Sequence, residues 1–401
     1  MLILFRITLI IILLIVLIKL KLNLALALII NAIVAGILFR LNFLAILKAF
    51  PVTLIQINTI EFLVIIYLVL LLGDLLEASG NLVKVIHSLE NLFKDYRLGL
   101  VMMPALIGLL PMPAGAMLSA PIIKEIGGKT NLSKEKMTHI NYWFRHIWEY
   151  FWPLYPALLL TAGILNVPIR SIMITQFPLS LFALLAGLIF VTKLPKAKNT
   201  TRTKISHFGY LLWQMWPIIL IILLVFFANL KMIWALLIGV LGATVFSRKS
   251  LKELLLIFKN AFSLSTLGVI YAVFLFKNIM ETSGALQAIP EISMGLPALQ
   301  ILIVFGAPFI VGFLTGVNSA FVGITFPVIA PLIANHSANL NYIMLAYMGG
   351  FAGVLLSPVH LCLCATIEYY GAELPKVYKY LLPSVLFVLA GALVLFLTRT
   401  M

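Results

Sequence analysis

The amino-acid sequence predicts an all-α polytopic membrane protein made of two inverted repeats, each with five transmembrane helices plus a re-entrant helical hairpin. Three observations lead there: the composition, the apolar runs and a self-similarity between the two halves. Of 401 residues, 63% are hydrophobic and 10% charged, whereas a soluble domain carries about 45–50% apolar and about 25% charged residues. The mean hydropathy is +1.14. Apolar runs long enough to cross a bilayer, which takes about 20 helical residues, fall near 1–20, 23–39, 59–79, 139–162 and 170–192. A second set falls near 208–228, 230–247, 262–281, 341–366 and 377–397. Two further runs, near 99–123 and 299–333, are interrupted by Pro and Gly.

The first run, Met1–Leu20, carries an early Arg6, and no small-residue cleavage site follows it. Lys19 and Lys21 lead straight into the next run, so it is read as a retained span rather than a signal peptide. The basic, polar stretch Lys193–Lys204 divides the chain almost in half. With a shift of 204, Ile65–Gly80 falls on Val269–Gly284. Seven of those 16 positions match, including Tyr67 with Tyr271, Glu77 with Glu281 and Gly80 with Gly284. At the same shift Pro104 and Gly108 fall on Pro308 and Gly312. Those two residue types set backbone geometry, so the self-similarity marks a structural repeat. The first repeat is assigned to residues 1–195 with its hairpin near 99–123, the second to 205–401 with its hairpin near 299–333.

Five crossings is an odd number, so the second unit must enter the membrane upside down relative to the first. Loop charges agree. Placing alternate loops in the cytoplasm collects 20 of the 28 Lys and Arg residues there, as the positive-inside rule requires. The loops flanking the second interrupted run, Thr282–Gly295 and Ala334–Asn341, hold no Lys or Arg, while those flanking the first are rich in them. The expected location is the cell (plasma) membrane, multi-pass, with both termini outside. The same placement explains the net charge of +15 without nucleic acid, which is excluded as a partner. Cys362 and Cys364, two apart in an apolar run, point to different helix faces and read as small buried hydrophobes.

The candidate functional residues lie at the interruptions and at buried charges. The first interruption centres on Pro111–Gly115, offering Pro113 and Gly115. The second centres on Thr315–Ser319, offering Thr315, Gly316, Asn318 and Ser319. Non-helical backbone at membrane depth is tolerated only inside protein or along a wet cavity. A matched pair of broken segments is the best sequence pointer to a transporter's midplane site. The span after the first hairpin carries Arg145, His146 and Glu149, spaced so that all three share one helical face. Charges within a span mark a substrate or ion path or an internal ion pair. The corresponding second-half span is loosened by Gly349, Gly350, Gly353, Ser357 and Pro358, and contains His360; Gly350, Ser357 and His360 join the candidate set. Glu77 and Glu281, with Asp74 and Asn278 beside them, read as helix-end or hairpin braces. Asn81–Arg97 and Ala285–Leu296 read as interfacial arms.

This pattern resembles the ion transporter superfamily of dicarboxylate, citrate, gluconate and arsenite carriers. The hairpin sequence LLPMPAGAMLSAPI (Leu109–Ile122) is similar to the membrane family named domain of unknown function 401. The resemblance implies inverted repeats, interfacial arms, a hairpin in each half, an unwound helix after each hairpin and an elevator-like motion. In the dicarboxylate carriers each hairpin tip carries a Ser-Asn-Thr-like motif that contacts Na+ and carboxylate. Here Asn318-Ser319 after Thr315-Gly316 is similar, whereas the first tip has no polar side chain.

The expected function is therefore secondary active transport of a small anionic solute, coupled to H+ or Na+. No nucleotide-binding motif is present to supply other energy. No cofactor and no structural metal are expected, Na+ being a candidate coupling ion only. No catalytic residue is expected, so the chain is not read as an enzyme. The partners expected are the lipid bilayer and the solute, with a homodimer allowed. The rival readings are a channel on the same fold and an intramembrane metal-dependent enzyme using His146, Glu149 and His360.

Overall fold

The structure, a computed structural model, describes residues 2–79, 95–109, 115–192, 194, 213–285, 297–334 and 339–400. Among these, every regular element is a helix. They are α1 (Leu2–Lys19), α2 (Leu24–Leu38), α3 (Phe43–Ile55), α4 (Ile57–Ala78), α5 (Tyr96–Ile107), α6 (Ala116–Lys129), α7 (Lys134–His146), α8 (Pro156–Leu165) and α9 (Ile169–Thr192). The second half contains α10 (Trp216–Phe226), α11 (Met232–Phe246), α12 (Leu251–Asn260), α13 (Leu264–Thr282) and α14 (Pro297–Thr315). It ends with α15 (Asn318–Ala334), α16 (Asn339–Leu356), α17 (Leu361–Tyr370) and α18 (Leu374–Thr400).

Six stretches among the described residues are long and apolar enough to cross a membrane: Ile57–Ala78, Ile169–Thr192, Leu264–Thr282, Ala298–Thr315, Leu340–Tyr370 and Leu374–Arg399. The surface is inverted relative to a soluble protein. Phe43, Ile57, Val245 and Leu264 are each more than 70% exposed, while Arg145 is 2% and Glu149 5% exposed. Large apolar side chains turned outward and charges turned inward suit a lipid solvent. The chain is a polytopic, membrane-embedded helical protein.

The outcome differs from ten uniform spans. α2 and α11 have 15 residues each, about 22 Å at 1.5 Å per residue, short of the roughly 30 Å hydrocarbon core. Each ends at a basic residue in the left-handed region, Arg40 (φ 62°) and Arg248 (φ 54°). Where the charge pattern suggests loops, the apolar helix α3 and the amphipathic helix α12 follow. Asn42 caps α3 by accepting from the Ala45 N–H at 2.6 Å, and Ser250 with Glu253 forms a capping box on α12. Side-chain acceptors at these positions satisfy N–H groups that have no partner within the helix.

The runs near 139–162 and 341–366 are also divided. The first breaks at residues 147–155, between α7 and α8, and the second at Ser357–His360, between α16 and α17. Packing runs between the halves: α2 lies on α13, α4 on α11, α6 on α17, α8 on α15 and α9 on α18. Paired hydrogen bonds cross in both directions. Tyr67 donates to Phe258 O at 3.2 Å and Tyr271 to Phe50 O at 3.0 Å. Tyr142 donates to Leu355 O at 3.1 Å and Tyr347 to Glu149 O at 3.0 Å. The segments expected as interfacial arms lie almost entirely outside the described residues, as do Pro111–Ala114 of the first hairpin.

Candidate functional site

Three local breaks in helix build the site. Ser133 caps α7 by accepting from the Lys136 N–H at 3.3 Å, and the helix then runs to His146. The chain continues through short turns to Pro156, which starts α8 at a position where proline's missing N–H costs nothing. The second break separates α14 from α15 at Gly316 and Val317. Gly316 has φ +65°, and a Cβ there would lie 2.8 Å from His360 N and 2.9 Å from His360 Cα. Both the left-handed backbone and the close approach therefore require glycine. Thr315 ties the turn down, its hydroxyl donating to Val311 O at 2.8 Å and accepting from the Val317 N–H at 3.3 Å. The third break follows Leu356. Ser357 Oγ accepts from the Val359 N–H at 3.4 Å, and His360 stands at the N-cap of α17.

These breaks meet around a partly open cavity of about 300 Å³. Glu149 is its hub. Arg145 Nη1 lies 3.7 Å from Glu149 Oε1, and His146 Nε2 lies 3.8 Å from the same oxygen. Asn318 Nδ2 donates to Glu149 Oε2 at 2.5 Å, so the second hairpin tip is bonded directly to the first-half charge pair. Asn318 Oδ1 is buried without a hydrogen-bond partner. Arg145 also donates to the Tyr155 hydroxyl at 3.1 Å, which in turn donates to Gly108 O at 2.5 Å. His146 Nδ1 is 2.6 Å from Tyr142 O, His360 Nδ1 is 2.6 Å from Gly316 O, and the two Nε2 atoms are 3.2 Å apart.

The first turns of α8, α15 and α17 all contribute to the cavity wall, through Pro156, Asn318 and Leu361 among others. Helix N-termini present N–H groups with no intrahelical partner and a positive dipole end. Three of them beside a guanidinium give the cavity an electropositive lining.

Of the residues singled out from sequence, Arg145, His146, Glu149, Gly316, Asn318, Ser319 and His360 line this cavity. Ser357, fully buried, stands behind it against Gly316. Thr315 braces the turn rather than facing the cavity. Gly350 belongs to packing: a Cβ there would run into the Phe321 ring. Gly115 precedes α6 at its N-cap and is not part of the wall. Pro113 lies outside the described residues. Glu77 and Glu281 are elsewhere; Glu281 pairs with Lys277 at 3.8 Å in an exposed position, and Lys277 also donates to Ile164 O at 2.8 Å.

Sequence reasoning missed Tyr155 and Cys362, both on the wall. Tyr155 had one usable signal: it directly precedes the proline that starts a new helix after the charged turn. Cys362 is buried, but Cys364 is exposed, which corrects the reading of both as small buried hydrophobes: two residues apart on a helix they face different sides, and only one face is covered. Nothing in the spacing showed that Cys362 would sit beside two histidines.

None of the curated proteins compared with this chain matches it. Residues 1–398 match the family described as Protein of unknown function (DUF401). With a match over nearly its whole length, including all three breaks that build the cavity, the chain belongs to the DUF401 family.

Proposed function

We propose that this protein is a secondary active transporter that moves a small anionic solute across the cell membrane, coupled to H+ or Na+. The observation that carries the reading is the cavity itself. Groups from both halves of the chain converge there, with a buried guanidinium and the first turns of three helices among its lining. Such termini favour anions, and discontinuous helices around a central site are how membrane transporters bind solute and coupling ion. Asn318 Oδ1, buried and unpartnered, adds an acceptor for a cation or a solute hydroxyl.

The reading includes two inverted repeats. Corresponding elements begin at residues 57 and 264, 116 and 318, and 169 and 374, close to the spacing of the sequence match. The crossed tyrosine bonds are the reciprocal contacts expected of a two-fold relation. Alternating access by an elevator-like motion of the hairpin-bearing part follows from the resemblance to the ion transporter superfamily.

Two experiments test this. In proteoliposomes, counterflow should be saturable and should require solute on both sides; conduction without counterflow would make the protein a channel. For topology, single cysteines replacing Gly128 and Ala288 in a Cys364→Ser background should react with impermeant reagents from opposite sides. Reaction from the same side would end the inverted arrangement.

A further inference from the structure

His146 and His360 are contributed by different halves of the chain, yet their rings meet edge to face with centroids 5.2 Å apart. A carbonyl oxygen can only accept a hydrogen bond. Each Nδ1, lying 2.6 Å from a backbone carbonyl, therefore carries the hydrogen. In a neutral imidazole the other nitrogen is then a lone-pair acceptor. The two Nε2 atoms face each other at 3.2 Å, and two lone pairs so placed repel unless an electrophile lies between them. A third donor is at hand. Cys362, in the first turn of α17, places its sulfur so that Sγ and one ring nitrogen of each histidine all lie within 4.8 Å of one another.

We propose that His146 Nε2, His360 Nε2 and Cys362 Sγ form a binding site for one zinc-class transition-metal ion, with a fourth coordination position facing the cavity. The distances fit. Tetrahedral ligation at Zn–N bonds of about 2.0–2.1 Å sets two nitrogen ligands about 3.3–3.4 Å apart, close to the 3.2 Å found here. A nitrogen–sulfur pair on such an ion stands about 3.5 Å apart, so Cys362 needs to close by no more than about 1.3 Å. Both rings also have the outer contact that metal-bound histidines almost always make, the remaining N–H given to a fixed acceptor that sets tautomer and orientation. Two imidazoles and a sulfur select a borderline or soft ion and disfavour Na+, Mg2+ or Ca2+, which take oxygen ligands. Binding would release the Cys362 thiol proton to solvent, because the coordinated form is the thiolate. Glu149 remains with Arg145 and Asn318, which leaves the fourth position to water or to an anionic group entering the cavity.

The site is read by metal content, so its fate is separable from that of the transport reading. Full-length protein without a polyhistidine tag is purified in detergent, stripped with chelator, loaded with Zn2+ and desalted. One zinc per chain should remain. Co2+ in its place should give visible bands of tetrahedral cobalt and a sulfur-to-cobalt charge-transfer band. Cys362→Ser should abolish the charge-transfer band, and His360→Gln should weaken affinity by about 100-fold or more, since even losses in the outer shell cost about 10–100-fold. Cys364→Ser should change neither, because that sulfur is exposed and donates to Pro358 O at 3.2 Å. Failure of the folded wild type to retain zinc would overturn the proposal and leave a shared proton as the electrophile between the rings. Retention unaffected by either Cys362→Ser or His360→Gln would overturn it as well. If one of these variants fails to fold, the other decides.

Discussion

The two halves seat their hairpins on the following helix by different means. In the second half the contact is backbone on backbone. A Cβ on Gly312 would collide with Gly350 O, one on Gly349 with Phe305 O, and one on Gly353 with Phe309 O. In the first half Gly108 makes such an approach, against Arg145 O. The rest of that seat is made by side chains: Trp148 donates to Ala105 O at 2.7 Å and Trp152 to Leu109 O at 2.9 Å. The charged cluster belongs to the first half, and the glycine-fitted tip that bonds to it belongs to the second. One half supplies the fixed chemistry and the other a closely held backbone that brings Asn318 and His360 to it. A single helix could hardly do both, since bulky charged and aromatic groups prevent the approach that glycine allows.

Breaking the glycine seat should have the largest effect. Gly353→Leu forces a side chain into Phe309 O and to within 2.8 Å of Phe313 N, backbone atoms that cannot step aside. Overpacking costs about 1–3 kcal/mol and more where the neighbour cannot move, so with backbone on both sides little monodisperse protein should be recovered from detergent. Normal yield and melting temperature would mean that α14 and α16 are not seated on each other's backbone.

Next comes the charge pair. Arg145→Met alone strands Glu149 at 5% exposure, and removing one partner of a buried pair costs about 3–5 kcal/mol. Adding Glu149→Gln should restore most of the melting temperature, because the stranded charge is gone. Counterflow should remain absent in the double variant, since the guanidinium proposed as the anion contact is gone. A transporting double variant would reduce Arg145 to structure and leave the three helix N-termini as the anion site.

The tryptophan seat should be weaker than the glycine one. Trp148→Phe removes the donor to Ala105 O and leaves a carbonyl unsatisfied, at about 1–3 kcal/mol. The protein should fold with a lower melting temperature and still exchange solute. A loss as severe as that of Gly353→Leu would show that the two seats are equivalent after all.

The smallest difference concerns α3 and α12. α3 has a neutral Asn42 cap, whereas the α12 cap depends on an ionised Glu253, whose carboxyl is pushed down to about 2, first by the Ser250 backbone N–H and then by the Ser250 hydroxyl and Lys249. A carboxylate held below its ordinary value of about 4.3 stabilises fully above that value and loses its effect as pH falls towards 2. Hydrogen exchange in the first turn of α12 should therefore become less protected between about pH 4 and pH 2 relative to α3. Glu253→Gln, which removes the titrating carboxylate, should remove that pH-dependent difference. Equal behaviour of the two helices across this range would show that the capping box contributes nothing measurable.

Much of the architecture was legible because membrane helices obey local rules. Hydropathy located the long helices, and Thr315-Gly316 before Asn318-Ser319 located the turn between α14 and α15. The Arg145–Glu149 spacing correctly implied a shared face. Local rules also failed in recognisable ways. The runs near 23–39 and 230–247 read as full spans, and α2 and α11 lie where expected, but with 15 residues each they are short of a bilayer core, and α3 and α12 follow directly. Gly350 read as a loosening residue, but in the fold it makes room for Phe321.

By itself the sequence determined that the chain is helical and membrane-embedded, where its helices are interrupted, and which charges had to be buried. Those follow from apolar run length, from proline and glycine backbone limits and from the cost of charge in lipid, all properties of neighbouring residues. Only the tertiary structure decided which groups meet. Asn318 reaches Glu149 across 169 positions and His360 reaches His146 across 214. No period or spacing encodes such contacts. They exist because the halves pack on each other through α6 with α17 and α8 with α15, and because Gly316 lets the backbone of one break touch that of another.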